Sequence, residues 1–127
     1  MLDWYLDALG GDIVPPWDFS RVNEEKDTSA MTLAVNGMLR IAHLPETDGD
    51  IREACLLMAK KSMVKLIRDY ASLDDRNAWG LVREGVYAKP RTDGVNEYMI
   101  WGDYYFVENL MILAGKNYLD QEIWNKK

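Results

Sequence analysis

A single cysteine, Cys55, leaves no partner for an internal disulfide, and a single histidine, His43, leaves no second imidazole for a zinc site. Cys55 falls inside a helical pattern, which predicts a buried or half-buried thiol. Lys and Arg number 15 against 21 Asp and Glu, so the net charge is -6 and no basic face exists to neutralise phosphates. Nucleic acid is therefore excluded as a partner. No segment approaches the ~18 apolar residues of a membrane span, so no membrane partner is expected. The opening MLDWYLDALGG carries acids where a signal peptide needs a basic start and an apolar run. There is no Gly-rich phosphate cradle, no Ser/His/Asp order and no calcium loop. These absences together predict a cytoplasmic protein that uses no cofactor and no metal.

What is present is an ordinary globular composition, 48% apolar and 28% charged over 127 residues. A chain of this size buries roughly two-thirds of its unfolded surface, enough for one core, and 1–127 is read as a single unit. Leu2, Tyr5, Leu6 and Leu9 recur at helical spacing until Gly10-Gly11 stops them, and a helix starting at residue 1 without a cap reads as truncated. In the loop DIVPPWDFSRVNEEK, Pro15-Pro16 excludes helix, while Trp17 and Phe19 are large enough to require a packing surface. Asp27 is placed to cap a helix that runs to about Ala42, accepting from the amides of Ser29 or Ala30. Its packing face is expected at Ala30, Ala34, Gly37 and Met38, with Leu33 and Ile41 beside them, small at the centre so that a neighbour approaches closely.

From Ile51 to Tyr70, the residues Ile51, Ala54, Cys55, Met58, Met63, Leu66, Ile67 and Tyr70 keep the 3.6 period. Arg52, Glu53, Lys60, Lys61, Lys65 and Arg68 take the opposite side. Between Ser72 and Gly102 the pattern breaks, with a short extended piece expected at Leu81–Tyr87. A stretch that long without a helix is functional or docked on something. Asp103 is placed as the N-cap of a last helix from Tyr104 to Ala114, terminated by Gly115. The rhythm of helix, aromatic loop, helix predicts an all-α fold of αα-hairpins whose loops gather at one end.

Five acids are candidates for the carboxylate pair that glycoside hydrolysis uses: Asp18, Asp27, Glu97, Asp103 and Glu108. Asp27 and Asp103 are better explained as caps. Glu24, Glu25 and Asp48 to Asp50 read as solvated loop charges, and Asp18 and Glu97 as residues that position loops. His43 closes a helix, where the partial negative charge favours a cation. Trp17, Trp101 and Tyr104 admit two roles, a stacking wall for a sugar or a means of locking loops onto the helix layer. Trp101 to Phe106 are expected to fasten the last loop and helix, and Trp17 is the better of these candidates to meet a substrate.

VPPWDF (Val14 to Phe19), DTSA with the small-residue helix after it (Asp27 to Gly37), and IWGDYYFVENL (Ile100 to Leu110) enclose the VYAKP loop. In order and approximate spacing this set resembles the C-terminal part of the unsaturated glucuronyl hydrolases, glycoside hydrolase family 88, and more distantly the unsaturated rhamnogalacturonyl hydrolases. The resemblance covers nearly the whole chain. It implies the closing third of an (α/α)6 barrel, and hence an incomplete chain, because such barrels far exceed the ~100–150 residues usual for one domain.

The resemblance also implies an activity: removal of an unsaturated uronic acid from the ends of oligosaccharides left by polysaccharide lyases. An aspartic acid protonates the C4=C5 vinyl ether, water adds at C5, and the hemiketal collapses. The two aspartates that do this lie upstream of anything matched here, so no catalytic residue is expected in this chain and the chain alone is expected to be inactive. Substrate-binding residues are expected at Tyr87, which matches a sugar-contacting tyrosine, at Lys89 and Arg91, and at Trp17. A tyrosine face and hydroxyl suit a pyranose. Lys89 and Arg91 would attract a carboxylate or sulfate, the arginine more directionally. Ala88 offers no side-chain donor for a sulfate. The competing expectation is a non-catalytic helical interaction module that meets a protein partner through Met1 to Leu9 and Tyr104 to Ala114; an open barrel seam would also self-associate.

Overall fold

The computed structural model describes residues 1–21 and 25–116, so Glu24 lies outside the described residues. Four α-helices carry the fold: α1 (Leu2–Ala8), α2 (Thr28–His43), α3 (Gly49–Lys65) and α4 (Ile100–Leu113). A π-helical turn, Leu66–Tyr70, extends α3. A two-stranded antiparallel hairpin, β1 (Gly85–Ala88) and β2 (Asp93–Glu97), stands between that turn and α4.

Helix α2 is the centre, packed against both α3 and α4. Asp27 caps it as expected, its carboxylate accepting from the Ser29 amide at 2.9 Å. Its far end is held by Arg52 of α3, whose guanidinium donates to the carbonyls of Ala42, Leu44 and Thr47. The first two are carbonyls that a helix terminus cannot satisfy internally, and the third belongs to the connection to α3. His43 contacts the Leu39 carbonyl at 2.7 Å through Nδ1.

The buried stripe of α2 is Met31, Val35, Met38, Leu39 and Ala42, joined by Cys55, Ala59 and Met63 from α3, by Leu66 from the π-helical turn and by Phe106 and Ile112 from α4. This corrects the expected face: Leu33, Gly37 and Ile41 are exposed, and Ala30 and Ala34 only half-buried. A helix serving two neighbours turns its larger side chains into the angle between them, and the small-residue stripe is left outside. Ile51 and Ile67 of the α3 pattern are likewise exposed.

Helix α1 lies on this core through Leu2 and Tyr5, with Leu9 buried. Leu2 and Tyr5 themselves stay half-buried, and Trp4 is exposed. Gly10 and Gly11 take positive φ and end it. Phe19 packs its ring 5.2 Å from Trp4 and 6.1 Å from Tyr5, which supplies the surface that the aromatic loop required. Asp48 is no free loop charge, because it caps α3 through the Asp50 amide at 2.9 Å.

The stretch from Ser72 to Gly102 is docked at its base. Ser72 and Arg83 donate backbone bonds to the carbonyls of Leu81 and Tyr70, and Ala71 bridges to Val82. Extended pairing begins later than expected, at Gly85, because Glu84 sits at φ 66 and breaks the run from Leu81. The hairpin carries a bulge between Gly85 and Val86, where Asn96 is the extra residue at φ 59. Asparagine tolerates that left-handed conformation.

Asp103 is the main correction. Helix α4 begins at Ile100 with Met99 as its N-cap, so Asp103 already lies in the first turn. Its two carboxylate oxygens accept from the amides of Leu81 and Val82, each at 2.9 Å, and clamp the preceding loop to the helix. Gly80 leaves the room for this, since a Cβ there would stand 2.7 Å from Asp103 Oδ2.

A serine satisfies an N-cap but cannot reach two amides at once. Asp103→Ser should therefore lose about 2 kcal/mol in urea unfolding, as hydrogen bonds to a charged group imply. Full retention of stability would restore the cap assignment.

Candidate functional site

Alternation along β1 buries Val86 and turns Tyr87 outward, 53% exposed. Gly94 of β2 lies directly behind it; any Cβ at position 94 would come within 2.9 Å of the Tyr87 Cβ. Trp101, in the first turn of α4, places its ring 6.0 Å from that of Tyr87 at an interplanar angle of 52°. The Arg91 guanidinium lies 5.8 Å from the centre of the Tyr87 ring, a favourable cation–π placement. Two aromatic faces and a cation thus share one surface at the loop end of the helices.

The start of α4 reaches this position because Gly102 has no side chain. A Cβ there would be 3.1 Å from the Ser29 Cβ at the start of α2. Across that close approach the Trp101 indole N–H donates to Ser29 Oγ at 3.0 Å. Ser29 Oγ in turn donates to Asp27 Oδ1 at 2.7 Å, and the same carboxylate oxygen accepts the Val86 amide at 3.2 Å.

The other expected binding residues are held differently. The Lys89 ammonium is paired with Glu25, so Glu25 is a docking charge and not simply a solvated one. The Trp17 amide donates to the Glu25 carbonyl at 2.9 Å, and its side chain is half-buried. Tyr87, Arg91 and Trp101 are in mutual reach, then, while Lys89 and the Trp17 backbone converge on Glu25. Asp18 closes a local turn onto Ser20, whose hydroxyl and amide hold its carboxyl below the usual range. Glu97 is exposed at the end of β2.

A second polar cluster lies between α2 and α4. Glu108, only 4% exposed, accepts from Asn36 Nδ2 at 2.6 Å and pairs with Arg40 at 3.2 Å. Asn36 also donates to Asn109, which donates to the Thr32 carbonyl at 2.9 Å. The Tyr104 hydroxyl donates to Glu108 Oε1 at 3.3 Å. The negative charge of Glu108 raises the Tyr104 pKa, helped by desolvation. Beside this cluster runs an open groove of about 420 Å³ whose wall includes Leu81, Ile100, Val107 and Met111 together with Asp103 and Glu108. Every acid with a buried carboxylate is therefore engaged by amides, amides of side chains or a guanidinium. Among the described residues no three metal-ligating side chains gather into a cluster.

No protein-family model matches the chain. Individual proteins do. The unsaturated glucuronyl hydrolase of Bacillus sp. (strain GL1) is 35% identical over 113 residues, covering 86% of this chain and 30% of that protein. The unsaturated chondroitin disaccharide hydrolase of Streptococcus pyogenes serotype M1 is 37% identical over 116 residues, covering 87% and 29%. The crystal structure of unsaturated glucuronyl hydrolase from Bacillus sp. GL1 superposes with a TM-score of 0.79 at 35% identity, over 87% of this chain and 30% of that one.

Over most of its length the chain is homologous to unsaturated glucuronyl hydrolases. It spans about three-tenths of the relatives it matches. Its helical hairpins correspond to part of their (α/α)6 barrel.

The sequence singles out Tyr87 and Arg91, which the fold brings together, but gives less sign of Ser29, Gly102 and Asn36. Glycine in IWGDYY was the available signal for a close approach. Asn36 and Ser29 offered none, because the partners that tie them to α4, Glu108, Asn109 and Trp101, lie 72 residues or more away along the chain. One electrostatic consequence is measurable. Glu108→Gln removes the charge beside Tyr104, so that phenol should ionise at lower pH in an ultraviolet titration. The change should vanish in a Tyr104→Phe background; an unmoved titration would mean the two groups do not interact in solution.

Proposed function

We propose that this chain forms the sugar-receiving mouth of a hydrolase acting on oligosaccharides that end in an unsaturated uronic acid, and that it does so as one part of a barrel completed by other residues. The observation that carries this reading is the outward Tyr87 and Trp101 pair with Arg91 beside it. A pyranose has apolar C–H faces and a uronic acid has a carboxylate, so adjacent aromatic rings and a guanidinium complement both. Lys89, steadied by Glu25, and Trp17 border the same loop region and complete the binding set. A disaccharide of the kind named for the streptococcal relative is the first ligand to test.

The acids support a binding role rather than proton transfer. Asp27 is consumed by two amides and a hydroxyl, Asp103 by two amides, and Glu108 by Asn36, Arg40 and Tyr104. A general acid needs a proton to give and an environment that raises its pKa. Carboxylates whose oxygens are taken up by N–H and O–H donors of the chain itself serve to hold its elements together. The vinyl-ether proton donor belongs, in this proposal, to residues of the barrel outside this segment.

Exposed apolar side chains on the flanks, Leu33 and Ile41 on α2, Leu57 and Val64 on α3, and Val107 and Met111 on α4, would meet neighbouring barrel helices or, in their absence, a second copy. The proposal includes a cytoplasmic setting, in which the buried Cys55 thiol stays reduced.

Titration of the chain with an unsaturated chondroitin disaccharide, followed by tryptophan fluorescence, should show saturable binding. Tyr87→Ala should weaken it about tenfold, equivalent to ~1.4 kcal/mol. The ultraviolet absorbance of the C4=C5 double bond should persist on incubation with this chain alone. Loss of that absorbance would place a proton donor within it, and absence of any binding would remove the mouth assignment.

A further inference from the structure

The Trp101 side chain is too exposed, at 37%, for burial alone to fix its rotamer. What fixes it is a hydrogen-bond chain whose direction has no alternative. An indole N–H only donates, an ionised carboxylate only accepts, and a serine hydroxyl has one proton to give and lone pairs to receive. Placed between Trp101 Nε1 at 3.0 Å and Asp27 Oδ1 at 2.7 Å, Ser29 Oγ must give its proton to Asp27 and receive that of Trp101. Ser29 is 2% exposed and Asp27 7%, so water does not compete well at the buried end of this chain.

Asp27 Oδ1 also holds the Val86 amide at 3.2 Å, and the next residue is Tyr87. One oxygen atom is consequently the common origin of both rings. It reaches Tyr87 through the backbone of β1 and Trp101 through the hydroxyl of Ser29. The two routes are not equivalent: the first is backbone and rigid, whereas the second depends on a single side chain. The position of Trp101 relative to Tyr87 is then decided at Ser29.

We infer that Ser29 is a positioning residue for sugar recognition, acting through the indole of Trp101 to hold the second face of the platform against Tyr87. This rests on the reading of Tyr87 and Trp101 as a sugar-binding pair. Ser29 touches no sugar itself, and its effect is confined to affinity.

A double-mutant cycle tests the inference. Ser29→Ala keeps the Asp27 bond to the residue 29 amide, and hence the helix cap. Trp101→Phe keeps a ring but has no N–H. Each should weaken disaccharide binding about three- to tenfold, the range expected for one hydrogen bond. The double variant should be no weaker than the worse single one, because both remove the same interaction. In Ser29→Ala the indole N–H proton resonance of Trp101, assigned by its loss in Trp101→Phe, should shift, which a general loosening of α2 would not do selectively.

Additive losses overturn the inference, as does an unmoved indole resonance. A shifted resonance with unchanged affinity also overturns it, since the platform would then tolerate a misplaced ring. If the unaltered chain binds no disaccharide, the sugar-mouth reading itself has failed and takes the role of Ser29 with it. The indole resonance still reports in that case whether the hydrogen-bond chain exists.

Discussion

The Asp27 carboxylate joins three parts of the chain that are remote in sequence. It terminates α2, receives the amide of β1 at Val86, and through Ser29 receives the indole at the start of α4. The helix N-terminus contributes partial positive charge at the same place, so one ionised group satisfies several donors that would otherwise be buried without acceptors. Both rings of the proposed platform are referenced to that point. Helix α2 supplies the core stripe below it, and the hairpin and α4 supply the exposed rings above.

Asp103 performs the complementary task for the loop on the other side of α4. The two aspartates illustrate how the same residue type, at positions that look alike in sequence, is put to different uses. Asp27 precedes its helix and has an extended backbone, φ -122 and ψ 100, which aims the carboxylate back at the first-turn amides. Asp103 follows the helix start, and its side chain leaves the axis to meet Leu81 and Val82. Local pattern alone does not separate these cases, because the deciding partners lie 21 and 22 residues away.

The same distinction explains how much could be read from the chain. Helices α1 and α2, the glycine stops and the Asp27 cap depend on neighbours within a few positions and stand where periodicity and capping chemistry placed them, whereas α4 starts at Ile100 instead of Tyr104. The outward orientation of Tyr87 follows from strand alternation once Val86 is known to be inside. The inward face of α2 was not legible: its hydrophobic residues surround much of the helix, and only the presence of both α3 and α4 selects Met31, Val35 and Leu39 over Leu33 and Ile41. Only one extended piece was expected, at Leu81–Tyr87, and the hairpin with its second strand was not legible, because Glu84, Thr92 and Asn96 take positive φ where glycine would have been the visible signal. Family likeness pointed to Tyr87 and Arg91, and it could not reveal that Trp101 shares their surface through Ser29.

The pairing of Gly94 with Tyr87 divides the hairpin into a part that must stay and a part that is free to vary. The turn Lys89–Arg91 buries no side chain. Pro90 can be exchanged there while the tyrosine keeps its seat, whereas Lys89 and Arg91 are tied to Glu25 and to the Tyr87 ring. At position 94 there is no such latitude, since even one methyl group would push the ring off its support and demand an unfavourable backbone as well. In the proposed mouth, ligand preference would be set by the charges at the tip of the hairpin, with the aromatic seat passed on intact.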